Sequence, residues 1–219
     1  MSAPSARATL RRNAARGVYD LDVIKAILDA EMVCHVAYVE AGEPRMIPTL
    51  YMRRGEEVFL HGNRQSALLK HMAQGGLVTL SVMLVDGVVV ARSGFHCSMN
   101  YRSVTLYGEG RLVEGDEHRE VLDAFVDVLI PGHLEAVREP TRQELAATTA
   151  VALPISECVA KVRSGDPIDD AGDLDASAWA GVLPISRQMG QPIAAADLKS
   201  GVELPGYLAG YLYPDSRDE

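Results

Sequence analysis

The order of apolar and polar positions divides the chain into helical and extended stretches. Leu21, Ile24, Ile27 and Leu28 recur at helical spacing after Asp20, whose carboxylate can cap the free amides of a helix running to about residue 31. Three extended runs follow at 32–39, 45–53 and 57–61, separated by turn residues at 41–44 and 54–55. Such short links predict an antiparallel meander. Ala67, Leu68, Leu69 and Met72 after Ser66 predict a short helix that Gly75 and Gly76 stop. Residues 77–85 read as a central strand, with Asp86-Gly87 as a hairpin signal before 88–91. A further strand is predicted over 103–113, where Gly108 and Gly110 signal a bulge or a close backbone approach. Val121, Leu122, Phe125, Val128 and Leu129 share one face of a helix over 118–130 that Pro131-Gly132 ends. A shorter helix at 142–148 precedes an alternating strand at 150–162, interrupted near Pro154.

Segment 164–176 is rich in Gly, Asp and Pro, and residues from 186 onward have little periodicity. The pattern therefore predicts one mainly β domain with flanking helices over 18–185, about six strands closed as a barrel. A basic arm at 1–17 precedes it, and an extension at 186–219 packs on the body or on a partner subunit.

Charge narrows the function classes. There are 21 basic and 30 acidic residues, a net charge of −9. Binding of nucleic acid through a general basic surface is therefore not expected. Arg7, Arg11, Arg12 and Arg16 lie in an acid-free start; set against the total, they leave −13 on the rest, a body on which a basic arm can lie. The apolar run at 77–85 is too short to cross a membrane as a helix, and Thr79 and Ser81 interrupt it. Cys34, Cys97 and Cys158 form no C-x-x-C pair, and the six histidines show no metal-binding spacing. Three small buried cysteines in a reducing cytoplasm are expected, without a metal.

Two segments carry more polar groups than strands need. One comprises Arg45, Pro48 and Thr49, then 60–66 and Lys70; Ser66 at a helix start, with Arg45, Arg64 and Lys70, is suited to a phosphate, although spacing alone favours a plain helix cap with solvated cations. The other runs from Arg92 to Ser103, where unpaired buried polar groups would be costly, so it satisfies either itself or a ligand. His96 there is either an acid-base group or a residue that holds its loop.

The motif H-x-S-M-N-Y-R-S from His96 to Ser103, with Val104-Thr105-Leu106-Tyr107-Gly108 after it and the preceding meander and polar helix entry, resembles the flavin-nucleotide-binding proteins related to pyridoxamine 5'-phosphate oxidase, nearest to the nitroimidazole-resistance-type branch. The resemblance spans about 16–184 and implies a split β-barrel, a homodimer, and FMN in a cleft between subunits. It implies that Arg45 reaches the FMN phosphate, that Ile47, Pro48 and Thr49 run beside the flavin ring, and that Leu60, His61, Gly62 and Asn63 meet ring and ribityl chain. Ser66 matches the phosphate-binding serine; Ala67 stands where the family often has a cation, and Lys70 is the substitute. Arg102 and Ser103 match positions that reach the flavin from the second subunit, and Trp179 matches a tryptophan near the cofactor. Thr49, His61 and Asn100 are candidate donors to the ring. The true oxidases continue with an Arg- and His-bearing stretch that grips the substrate phosphate, of which only Arg187 is present. The implied activity is an FMN-dependent oxidoreductase passing electrons from NAD(P)H to a small acceptor. The alternatives are a flavin- or haem-binding module without turnover, and a deazaflavin-dependent reductase.

Overall fold

The computed structural model describes residues 5–211 and residue 214. Residues 1–4 of the basic arm, and 212, 213 and 215–219 of the extension, lie outside the described residues. Strand β1 (Gly17–Val18) leads to helix α1 (Leu21–Asp29), and the Asp20 carboxylate accepts from the amides of Asp22 and Val23 as the sequence predicts. The meander follows as β2 (Val33–Glu40), β3 (Glu43–Leu50), β4 (Met52–Arg54) and β5 (Glu57–Asn63). Helix α2 (Ala67–Ala73) is capped by Ser66, whose Oγ accepts from the Leu69 amide at 3.4 Å. Next come β6 (Leu77–Val90), β7 (Ser98–Glu109), β8 (Arg111–Leu112), α3 (Gly115–Leu129), α4 (Arg142–Ala147), β9 (Thr148–Pro154), β10 (Cys158–Arg163) and β11 (Gly181–Pro184).

Two antiparallel sheets enclose the main core. The larger has the order β1-β10-β7-β6-β2-β3, with β11 also on β6, and the smaller the order β4-β5-β9-β8. Between them lie Val36, Leu60, Leu80, Leu84, Leu106 and Leu153, all nearly or fully buried. The chain passes directly from one sheet to the other at Tyr51, at Gly110 and at 155–157, so three of the predicted long strands are each divided between sheets. These are the corners of a split barrel. A second core between the outer face of the smaller sheet and α3 contains Phe59, Val121, Phe125 and Ala152.

Asp86-Gly87 is not a hairpin. Strand β6 continues through it with a bulge between Val85 and Gly87, and the turn to β7 falls at 91–97. Gly87 lacks the positive φ of the expected turn; it is needed because β11 crosses it, and a Cβ there would lie 2.9 Å from the Leu183 carbonyl oxygen. Consequently residues 98–102 are strand, paired along β6. Among the described residues no helix is long and apolar enough to cross a membrane.

The described part of the basic arm lies against the body. Arg7 donates to Glu157 at 2.7 and 2.5 Å, and Tyr19 Oη accepts from the Leu10 amide. Of the three cysteines, Cys34 and Cys158 are buried, and burial pushes the Cys34 thiol up to about 12. Cys97 is exposed, contrary to expectation, because its turn sits outside both sheets.

Candidate functional site

Strand β3 is the free edge of the larger sheet, and nearly all of it is exposed. Its register against β2 pairs Arg45 with Tyr38, Ile47 with Val36 and Thr49 with Cys34. Paired residues share a face, so Arg45, Ile47 and Thr49 lie on the side of the core, where the barrel is split. Pro48 is opposite His35, on the other face, which separates it from the residues expected beside it at the ring. Tyr38 packs on His71 of α2 with ring centroids 5.1 Å apart, so the Arg45 end of β3 is next to the helix that carries Ser66 and Lys70.

Strand β3 and the entry to α2 carry the polar groups expected for a phosphate, each engaged with a neighbour. Arg45 is paired with Glu40 at 3.5 Å and Glu43 at 3.0 Å, Lys70 Nζ donates to Gln65 at 2.7 Å, and Asn63 Oδ1 accepts from the Gln65 amide. The pairs of Arg45 and Lys70 are solvent-exposed, hence weak and exchangeable for a ligand oxygen. Gly62 faces α2, where the absence of a side chain admits Leu69; a Cβ would lie 3.3 Å from its methyl group. Leu60 is wholly buried in the main core, so only its backbone is available to a ligand.

Strand β7 distributes its expected site residues differently. Asn100 is buried and its amide is consumed: Nδ2 donates to the Gly165 carbonyl at 3.1 Å, and Oδ1 accepts from Arg163. It shapes the 163–166 bend and is not a free donor for a ring. Arg102 pairs with Asp86 at 2.8 Å, whereas Ser103 points to the opposite face and donates to the Lys161 carbonyl at 3.2 Å. Trp179 is 62% exposed just before β11.

His61 differs most from expectation. Alternation along β5 turns it away from Leu60 and toward α3, where its ring is 4.1 Å from that of Phe125. There it enters an apolar cavity of about 610 Å³ walled by Leu122, Phe125, Val126, Leu129 and Leu134, with His133 and Arg138 also lining it. Its Nδ1 is buried without a hydrogen-bond partner. Burial lowers the imidazole pKa, so the ring is neutral at pH 7 and keeps a nitrogen lone pair. A buried polar atom without a partner is costly unless a ligand or its own chemistry explains it. His61 and Phe125 were each visible in the sequence; that α3 covers this face of β5 was not. The cavity's other walls come from Leu50 at the end of β3 and from 122–148, a stretch in which the sequence shows no recognisable site motif.

Comparison with known proteins agrees with this architecture. The family model described as pyridoxamine 5'-phosphate oxidase matches residues 20–162. The flavocytochrome Anf3 from Azotobacter vinelandii is 37% identical, over 95% of this chain and 98% of that one, with a TM-score of 0.90. The FAD and heme binding protein from Mycobacterium smegmatis is 38% identical, over 90% of this chain and 98% of its own, with a TM-score of 0.87. No curated protein sequence matches. With nearly two thirds of its length on the family model and the same split barrel as these relatives, the chain belongs to the pyridoxamine 5'-phosphate oxidase family.

Proposed function

We propose that this protein is a flavin-dependent redox protein that also holds a haem, His61 being the iron ligand. The observation that carries the haem assignment is the neutral His61 ring in an apolar cavity, its Nδ1 buried without a partner. A porphyrin needs apolar walls, an axial nitrogen and polar groups for its carboxylates, and the cavity offers all three, with Arg138 and His133 as the polar groups. The relatives described as a flavocytochrome and as a FAD and heme binding protein support the same reading. The β3 groove is assigned to the flavin, with Arg45, Ser66 and Lys70 toward its phosphate and Ile47 and Thr49 beside it.

When bound, a flavin would supply exchange of one or two electrons and a haem iron of one, chemistry compatible with NAD(P)H as donor and a small acceptor. The chain's own residues supply placement. Leu60 and His61 are adjacent in β5 but face opposite sides of the smaller sheet, so one strand borders both sites. Leu122, Phe125 and Leu129 exclude water from His61 and keep its imidazole neutral.

An isologous homodimer completes the proposal. The outer face of the larger sheet exposes Val33, Val39, Met46, Leu50, Leu77 and Met83, each between 39 and 64% accessible, which is an unusual apolar area for a solvated sheet. Ser103 lies on this face, opposite Met83, in position to meet a partner subunit. Light scattering is expected to give twice the chain mass, and Met83→Glu is expected to give the monomer.

The direct test is the absorbance spectrum of the purified protein and the mass of what it releases. Flavin and Soret bands together are expected; absence of both, with no gain on adding FMN, FAD or haem, refutes the reading. A flavin band alone refutes the haem assignment and leaves the flavin site. For the phosphate, Arg45→Ala and Ser66→Ala should each weaken FMN by roughly 10- to 100-fold and riboflavin much less, because a charged hydrogen bond is worth about 1.5–3 kcal/mol. Equal weakening of both ligands would count against the groove.

A further inference from the structure

His96 is the one histidine of the 96–103 motif, and neither proposed cofactor site uses it. It sits in the turn between β6 and β7, on the side where segment 164–176 returns across the barrel. That segment is tied to the turn by a strong, shielded contact. The Asp169 carboxylate, 1% exposed, accepts from the Arg92 amide and the Arg92 guanidinium, both at 2.8 Å. This anchor sets the start of a 3-10 turn, Ala171–Asp173, directly beside His96.

In a 3-10 turn, residues three apart lie one above the other. Asp170 precedes the turn and Asp173 ends it, so their carboxylates share a face. Asp170 is in the N-cap position but makes no capping hydrogen bond; its carboxylate is turned to His96 Nε2 at 3.2 Å. One ligand atom each from His96, Asp170 and Asp173 falls within 4.8 Å of the other two. Among the described residues neither carboxylate is paired with a lysine or arginine. Two carboxylates and an imidazole nitrogen thus converge from two chain segments, and the nearby Arg92 guanidinium is engaged by Asp169 instead.

We propose that His96, Asp170 and Asp173 form a divalent transition-metal site, of the Zn²⁺ class, that clips segment 164–176 to the β6–β7 turn. Ligands about 2.1 Å from one ion lie up to roughly 4 Å from each other, so closing the cluster requires movement of about an ångström. The nitrogen ligand separates this site from an oxygen-only cluster, which Ca²⁺ or Mg²⁺ would occupy. Water fills the remaining positions. The site is structural: the clip holds the chain that leads to Trp179 and β11, and it needs neither flavin nor haem.

The experiment is a titration of the full-length protein, cleared of metal by chelator and dialysis, with Zn²⁺ and in parallel with Mg²⁺ and Ca²⁺. Binding is read by calorimetry and by the fluorescence of Trp179, the sole tryptophan. Saturable binding of Zn²⁺ is expected, at least ten times tighter than either alkaline-earth ion and at least ten times weaker in His96→Gln and in Asp173→Asn. The neighbouring exposed thiol is a competing ligand, so Cys97→Ser must retain the binding. Metal-free melting temperatures of the variants should match the parent, and Zn²⁺ should raise the melting temperature of the parent and of Cys97→Ser only. No saturation at millimolar Zn²⁺, undiminished affinity in His96→Gln, loss in Cys97→Ser, or equal affinity for Mg²⁺ each overturns the site.

Discussion

Replacing His61 by alanine is expected to remove the Soret band of the purified protein while leaving its flavin absorbance in place. The two effects separate because the sheet separates the sites: His61 faces α3, whereas Gly62 and the wholly buried Leu60 face α2 and the main core. Loss of a group that only supports a metal ligand typically costs 10- to 100-fold in affinity, so loss of the ligand itself should cost at least about 100-fold in haem binding. Removing the ring also relieves the buried Nδ1 of its missing partner, so the apo-protein should not lose stability through an unpaired polar group. Added imidazole should restore the band in His61→Ala, which a merely misfolded variant would not allow. A Soret band that survives the substitution would transfer the ligand role elsewhere, with His133 of the same lining as the next residue to test.

The second large effect concerns stability. Gly110→Ala is expected to destabilise the fold by about 3 kcal/mol, the upper part of the usual range for overpacking. For a chain of this size that lowers the melting temperature by roughly 6–12 °C. Gly110 is the corner at which the chain leaves β7 for β8, and a Cβ there would lie 2.7 Å from the Met72 carbonyl oxygen and 2.9 Å from its Cα. Those are backbone atoms of α2, and Met72 is fully buried in the main core, so the helix has no room to retreat. Gly108→Ala provides the comparison. Its new methyl would meet a Leu153 methyl group at 3.0 Å, a side-chain contact that can adjust, and the cost should be about 1 kcal/mol. Equal melting temperatures for the two variants would show that α2 moves more freely than its packing implies.

The same glycine marks how far the sequence could be read. Gly108 and Gly110 announced a close backbone approach, and the structure has one at Gly110, against the backbone of Met72, whereas Gly108 meets only the Leu153 side chain. Asp20 and Ser66 announced helix caps, and both carboxylate and hydroxyl accept the expected amides. Asp86-Gly87 misled, since a dipeptide that favours a tight turn also favours a bulge, and the choice was made by β11 lying across it. Asn100 misled for a related reason: a polar side chain in a motif is compatible with a ligand or with a structural bend, and Arg163, 63 positions away, decided for the bend.

The site divides along the same line. The cap formed by Ser66 and the charges of Arg45 and Lys70 were legible because charge and capping are local, whereas the packing of Tyr38 on His71, which sets β3 relative to α2, was not. Segment 164–176 read as an aperiodic connection, and nothing in its composition told that Asp170 and Asp173 would meet His96, more than 70 residues earlier.

Alternation along β5 determined, from sequence alone, that Leu60 and His61 point to opposite sides, because successive side chains of a strand must do so. It could not determine which side would be the common core and which would be roofed by α3. That depends on where a helix more than 50 positions later comes to rest, a contact selected by the fit of Phe125 and Val121 against the outer face of the smaller sheet. The sequence set the faces of each element through local periodicity; tertiary packing decided what each face meets, and so put His61 on the lining of an apolar cavity and not on the core face that carries Leu60.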